Sequence, residues 1–177
     1  MQQLNRISVE EYRKCDKTPV VLVLDNVRSA LNVGSIFRTA DAFRISKIWL
    51  CGITACPPNA EIRKTALGAE QSVEWGSCKD SVEAVDSLKS AGYTIIAIEQ
   101  AKESVMIDNM NLTPYNKVAL VFGNEVKGVD DRIMNLCDLC VEIPQFGTKH
   151  SLNVSVSAGI AIWEVFRQMG ARIPKIL

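Results

Sequence analysis

Four short stretches are largely apolar at both odd and even positions: 20–25 (VVLVLD), 47–52 (KIWLCG), 94–99 (TIIAIE) and 117–123 (KVALVFG). They are rich in Val and Ile and too short for stable helices, so they predict strands covered on both faces. Between them the spacing changes. Val33, Ile36, Phe37 and Ala40 fall at i, i+3, i+4 and i+7, which predicts a helix over 32–43. Residues 80–91 predict another, ended by Gly92. Shorter helices are expected at 60–67, after Pro57 and Pro58, and at 130–135. Ser8 with Glu11 forms a capping-box pattern opening a short N-terminal helix. Weaker strands are expected at 72–76 and 139–143, and a last helix at 153–169. Strands alternating with helices predict an α/β fold, a mostly parallel sheet flanked by helices. No repeat or linker divides the chain, so one domain is expected over 1–177, with 1–19 as an N-terminal extension.

The last helix is apolar nearly all round. Val154, Ala158, Ala161, Ile162 and Val165 form one stripe, and Val156, Ile160 and Trp163 a second, as in a core or an interface. Its beginning, SLNVSVSAG, is poor helix material. Capping by Ser151 or Asn153, with Ser155, Ser157 and Gly159 permitting close packing, explains part of this. The alternative is a site that needs small polar atoms.

Composition narrows the picture. Of 177 residues, 47% are hydrophobic and 23% charged, enough for a real core and unlike a disordered chain. The net charge of zero argues against a general nucleic-acid coat, though not against a local basic patch. Six irregularly spaced Cys without a secretory signal lead us to expect reduced thiols and a cytoplasmic location. The lone CxxC, Cys137 to Cys140, precedes a strand instead of opening a helix, so neither a metal nor a redox role is expected.

Open α/β sheets bind ligands beyond the carboxyl ends of their strands. Three such loops carry unusual Asn, Gly and Ser content: DNVRSALNVGSIFR, GNEVKG and IPQFGTKHSLN. In the first, Arg38 lies one turn beyond Gly34 and is expected to lean back over it toward Asn32, at the expected helix start, making an anion seat. The plainer alternative is an Asn cap, a packing Gly and a solvated Arg. In the second, Glu125 is placed to accept hydrogen bonds at the sheet's mouth. His150, the only His, lies in the third loop beside the site.

Taken together, Asn32-x-Gly34-x-x-x-Arg38, Phe122-Gly123-x-Glu125-x-x-Gly128, and Ile143-Pro144 with Gly147 and Ser151-Leu152-Asn153-Val154-Ser155 resemble the three motifs of the SpoU/TrmH branch of the SPOUT RNA methyltransferases. Order and spacing match, and the resemblance runs from about Val20 to Arg167. It implies methyl transfer from S-adenosylmethionine to a ribose 2′-hydroxyl of RNA. It also implies a C-terminal trefoil knot, which general topology rules would not suggest, and a homodimer whose subunits complete each other's sites. No metal is implied.

By the same resemblance, Asn32, Arg38, Glu125, Ser151 and Asn153 form the catalytic set. Glu99, Gly123, Asn124, Ile143, Pro144, Ser151 and Leu152 hold the cofactor. The family's proposal makes Arg38 the base. Guanidinium groups stay protonated in ordinary protein settings, so phosphate binding with assistance to proton removal suits Arg38 better. RNA contacts are expected from Arg28, Arg38, Arg44, Arg63 and Lys64. The small size of the chain favours tRNA over rRNA. Two rivals are a non-catalytic RNA-binding protein of this fold and a base methyltransferase of another SPOUT branch.

Overall fold

The computed structural model describes residues 7–169. Seven strands form one all-parallel sheet: β1 (Thr18–Asp25), β2 (Ile45–Cys51), β3 (Trp75–Cys78), β4 (Thr94–Ile98), β5 (Val105–Met106), β6 (Val118–Phe122) and β7 (Leu139–Glu142), in the order β3-β2-β1-β6-β4-β7-β5. The helices are α1 (Val9–Lys14), α2 (Ala30–Ala42), α3 (Ala60–Ala66), α4 (Ala69–Ser72), α5 (Ser81–Ser90), α6 (Asp131–Met134) and α7 (Val154–Met169). The expected α/β fold is therefore present.

The continuous apolar runs have a direct cause. Val20, Leu22 and Leu24 of β1 enter one core with α1, α2, α3, α4 and α7, while Val21 and Val23 enter another against α5 and α6. β6 does the same with Val118, Leu120 and Phe122 on one face and Ala119 and Val121 on the other. Two helical layers thus cover the sheet. The late strand β6 lies between β1 and β4, so the carboxyl ends of early and late segments meet at one place.

Four expectations need correction. The strand expected at 72–76 is displaced to Trp75–Cys78: Ser72 closes α4, its hydroxyl bonded to Asp41 and to the Ala69 carbonyl, and Val73 is buried. Pairing with β2 begins only at Trp75. The helix expected from Asn32 begins at Ala30 with Ser29 as its cap, because the Ser29 side chain accepts from the Asn32 amide. Strand β5 was not expected, since two residues carry no periodicity. In α7, Gly159 does not admit a neighbour from this chain: a Cβ added there would meet nothing within 4 Å.

Candidate active site

The loops after β1, β6 and β7 meet at the carboxyl edge of the sheet, joined by side-chain hydrogen bonds. Glu125 accepts from the Arg28 amide at 2.8 Å, the Ser29 amide at 3.1 Å and Asn32 Nδ2 at 3.2 Å. Asn153 Nδ2 donates to Asn32 Oδ1 at 3.1 Å. Asn153 Oδ1 in turn accepts from the amide and hydroxyl of Ser155, at 2.8 and 2.7 Å, which caps α7. A single chain of polar groups therefore runs from Glu125 through Asn32 to Asn153. Because Ser29 does the capping, the Asn32 side chain is free for this link.

Asn124 fixes the second loop. Its amide nitrogen Nδ2 donates to the Asn26 carbonyl at 2.8 Å, and its Oδ1 accepts from the amides of Val126 and Lys127. Gly123 must be glycine here, since an added Cβ would stand 2.2 Å from the Gly128 carbonyl carbon and from the Val129 nitrogen. Gly128 turns at φ +73°, with Glu99 against it. Glu99 Oε2 accepts from the Val129 amide at 3.2 Å and Oε1 from the Gln100 amide at 2.9 Å.

Beside this network lies a cleft of about 270 Å³. Its walls include Ile98, Phe122, Ile143, Leu152 and Val154, with Glu99, Gly123, Asn124, Glu125, His150 and Ser151 supplying polar atoms. Six of the seven residues expected to hold a cofactor thus line one space; Pro144 is not among them. Asn32, bonded to Glu125, and the exposed Asn153, bonded to Asn32, are not among the cleft's lining residues. Ser157 lines the cleft, a placement that its sequence context did not indicate. Gln100 and Gln145 were also missed. Asn26, at φ 55° with its Oδ1 accepting from the Ile53 amide, ties the first loop to the one after β2. The Asp25-Asn26 pair directly after a strand was its available signal.

Arg38 is the main departure. Its side chain is exposed and makes no hydrogen bond or ion pair among the described residues. It sits six residues beyond Asn32, roughly 240° round and about 9 Å along the helix. Nor can it lie over Gly34. That face is filled by α3, so an added Cβ at Gly34 would be 2.1 Å from Thr65 Oγ1 and 2.4 Å from the Ile62 carbonyl oxygen. The expected anion seat of Asn32 and Arg38 therefore does not form within one chain. Arg28 is exposed beside the Glu125 network, whereas Arg38 and Arg44 border a depression against α1 and α4, and Arg63 and Lys64 are exposed on α3.

Burial works against ionising Glu125, but hydrogen bonds from the Arg28, Glu125 and Ser29 amides and from Asn32 outweigh it, holding its carboxyl below the usual 4.5. A depressed carboxyl stabilises the fold above its unfolded pKa and loses that contribution as pH falls through the folded value. Protection of the Arg28 and Ser29 amides from exchange, taken relative to the intrinsic rate at each pH, is therefore expected to hold from about pH 8 to 5.5 and to fall only below the ordinary carboxylate range. In Glu125→Ala, which removes the acceptor, both amides are expected to lose this protection at every pH. Slow exchange in that variant would contradict the bonding described.

The remaining candidate chemistry is quiet. Burial, then the nearby Cys140 and Asp138, pushes the Cys137 thiol up to about 11, leaving it protonated at neutral pH. Among the described residues no group of three or more His, Cys, Asp or Glu is arranged to hold a metal.

Comparison with known proteins shows the family of the chain. Residues 19–163, most of the chain, match the SpoU rRNA Methylase family. The chain belongs to that family. A 23S rRNA (guanosine-2′-O-)-methyltransferase of Neisseria meningitidis is 32% identical to this SpoU-family chain over 97% of the chain and 68% of its own length. A counterpart in Nitrosomonas europaea is 35% identical over 86% of the chain and 58% of its own length. A TrmH/SpoU tRNA-modifying enzyme of A. aeolicus superposes with a TM-score of 0.80 at 28% identity, covering 93% of this chain and 83% of the other. Parts of these longer SpoU-family relatives thus lie outside the match.

Proposed function

We propose that this chain transfers a methyl group from S-adenosylmethionine to a ribose 2′-hydroxyl of RNA. The observation that carries the proposal is the Glu125–Asn32–Asn153 network beside the cleft, in a member of the SpoU family. The cleft suits the cofactor. Its apolar walls match an adenine and an aliphatic chain, while Glu99 and Glu125 favour a cation. At about 270 Å³ it lies just under the usual ligand range of roughly 300–1,000 Å³. It would hold the cofactor through Glu99, Gly123, Asn124, Ile143, Ser151 and Leu152, with Pro144 shaping the loop. When bound, S-adenosylmethionine supplies an electrophilic methyl on a sulfonium.

The chain's own residues orient the acceptor. Asn32 and Asn153, each held by its neighbour, and Ser151 at the rim direct hydrogen bonds to the ribose hydroxyl. Glu125 keeps the β1–α2 loop in place. Arg38 binds the adjoining phosphate and favours loss of the hydroxyl proton. It does so from a second copy of the chain, because within one chain it faces away from the network. A homodimer is supported by Val156, Ile160 and Trp163, which are 50, 37 and 53% exposed on one side of α7. The return of α7 from β7 onto α2 and β1 accords with the knot. Arg28, Arg44, Arg63 and Lys64 are proposed RNA contacts.

The first RNA to test is tRNA, because the A. aeolicus tRNA-modifying structure is matched over most of its own chain. The cytoplasm is the proposed location, and no helix among the described residues is long and apolar enough to cross a membrane. The proposal is checked by incubating the protein with methyl-labelled S-adenosylmethionine and undermethylated tRNA or rRNA. Label is expected in RNA. Tight cofactor binding without transfer to any RNA would favour a non-catalytic binding protein.

A further inference from the structure

Three depressions on the α1/α4 side of the molecule adjoin one another. The first, holding Arg38 and Arg44, shares Gln71 and Ser72 with the second, which holds Arg13 and Lys17. The second shares Glu70, Gln71 and Trp75 with the third, whose walls are Pro57, Pro58 and Arg63. They make one trough from Arg38 to the sheet edge. Five cations border it against Asp41, Glu70 and Glu74, and Glu74 is already paired with Lys47 at 3.0 Å. None of the five is in an ion pair among the described residues. In a chain of zero net charge this is a local positive excess. The far end is different: Trp75, half-buried, lines the second and third depressions, and two proline rings line the third.

A cationic groove that ends on an aromatic face is the arrangement that tracks a phosphate backbone and stacks an unpaired base. We infer that the trough carries a single-stranded segment of the substrate RNA, leading away from Arg38, with phosphates on Arg13, Arg44 and Arg63 and a base stacked on Trp75. The inference rests on RNA being the substrate. It adds Arg13, Lys17 and Trp75 to the expected RNA contacts and leaves Arg28 and Lys64 outside the trough.

The test is binding of a fluorescein-labelled uridine decamer, with S-adenosylmethionine affinity and melting temperature followed in parallel. Trp75→Leu is expected to weaken decamer binding about 5- to 50-fold. The double variant Arg13→Gln/Arg44→Gln is expected to weaken it about tenfold at low salt. It should also reduce the slope of log affinity against log salt by roughly one unit or slightly more. Cofactor affinity should not change in either. Decamer affinity and salt slope unchanged in the double variant would overturn the inference, whether or not Trp75→Leu folds. A wild-type protein that binds neither the decamer nor tRNA would instead contradict the RNA function as a whole.

Discussion

Arg38→Ala is expected to lower the methylation rate about 10²- to 10³-fold, the size of effect seen when one preorganised charge-stabilising group is removed. Cofactor affinity should hold within about twofold, since Arg38 does not line the cleft. Arg38→Lys should recover only part of the loss, because an ammonium cannot present a planar fork to a phosphate. Mixing two deficient variants, Arg38→Ala and Asn153→Ala, separates action within a chain from action between copies. If each cleft uses the other copy's Arg38, exchange of subunits restores about a quarter of wild-type activity, from the mixed dimers that hold one intact site. No restoration after verified exchange would place Arg38 in its own chain's site.

The second large effect is expected at α7. Trp163 stands edge-on to Phe43 at 5.9 Å, yet more than half of it is exposed. Burying that face in a dimer makes Trp163 an anchor, whose loss typically costs about 2–4 kcal/mol of association. Trp163→Glu is therefore expected to weaken dimerisation by roughly 30- to 1,000-fold, seen as monomer in sedimentation at micromolar concentration. Methylation should fall with it, while the cleft keeps its cofactor affinity. Val156→Glu, which alters a 50% exposed side chain, should act in the same direction without removing the Phe43 contact. Wild-type protein that sediments as a monomer would contradict the dimer.

The sheet was legible because every long strand is covered on both faces, so Val20 to Leu24 and Val118 to Phe122 read as unbroken apolar runs. The short elements were not. α4 is held by Ser72 bonding to Asp41, 31 residues away, and β5 by pairing with β7, neither of which leaves a local pattern. The polar loops that meet could be named from their place after strands. Their connections could not. That Ser29 caps α2, and so releases Asn32 to bridge Glu125 and Asn153, depends on a helix boundary two residues earlier than the apolar spacing suggests. The expected position of Arg38 over Gly34 failed for a related reason. The glycine expected to make room for it is occupied by Thr65 and the Ile62 carbonyl of a neighbouring helix. Ser157 looked like a packing residue because helix α7 is otherwise so apolar, but its first turns form a wall of the cleft.

The acceptor is proposed to be a ribose hydroxyl. Mass spectrometry of nucleosides from RNA methylated by the wild-type protein tests it most directly. The methyl mass is expected on the ribose fragment, at a position resistant to alkaline cleavage. A methyl found on the base fragment would contradict the account and assign this cleft to base methylation.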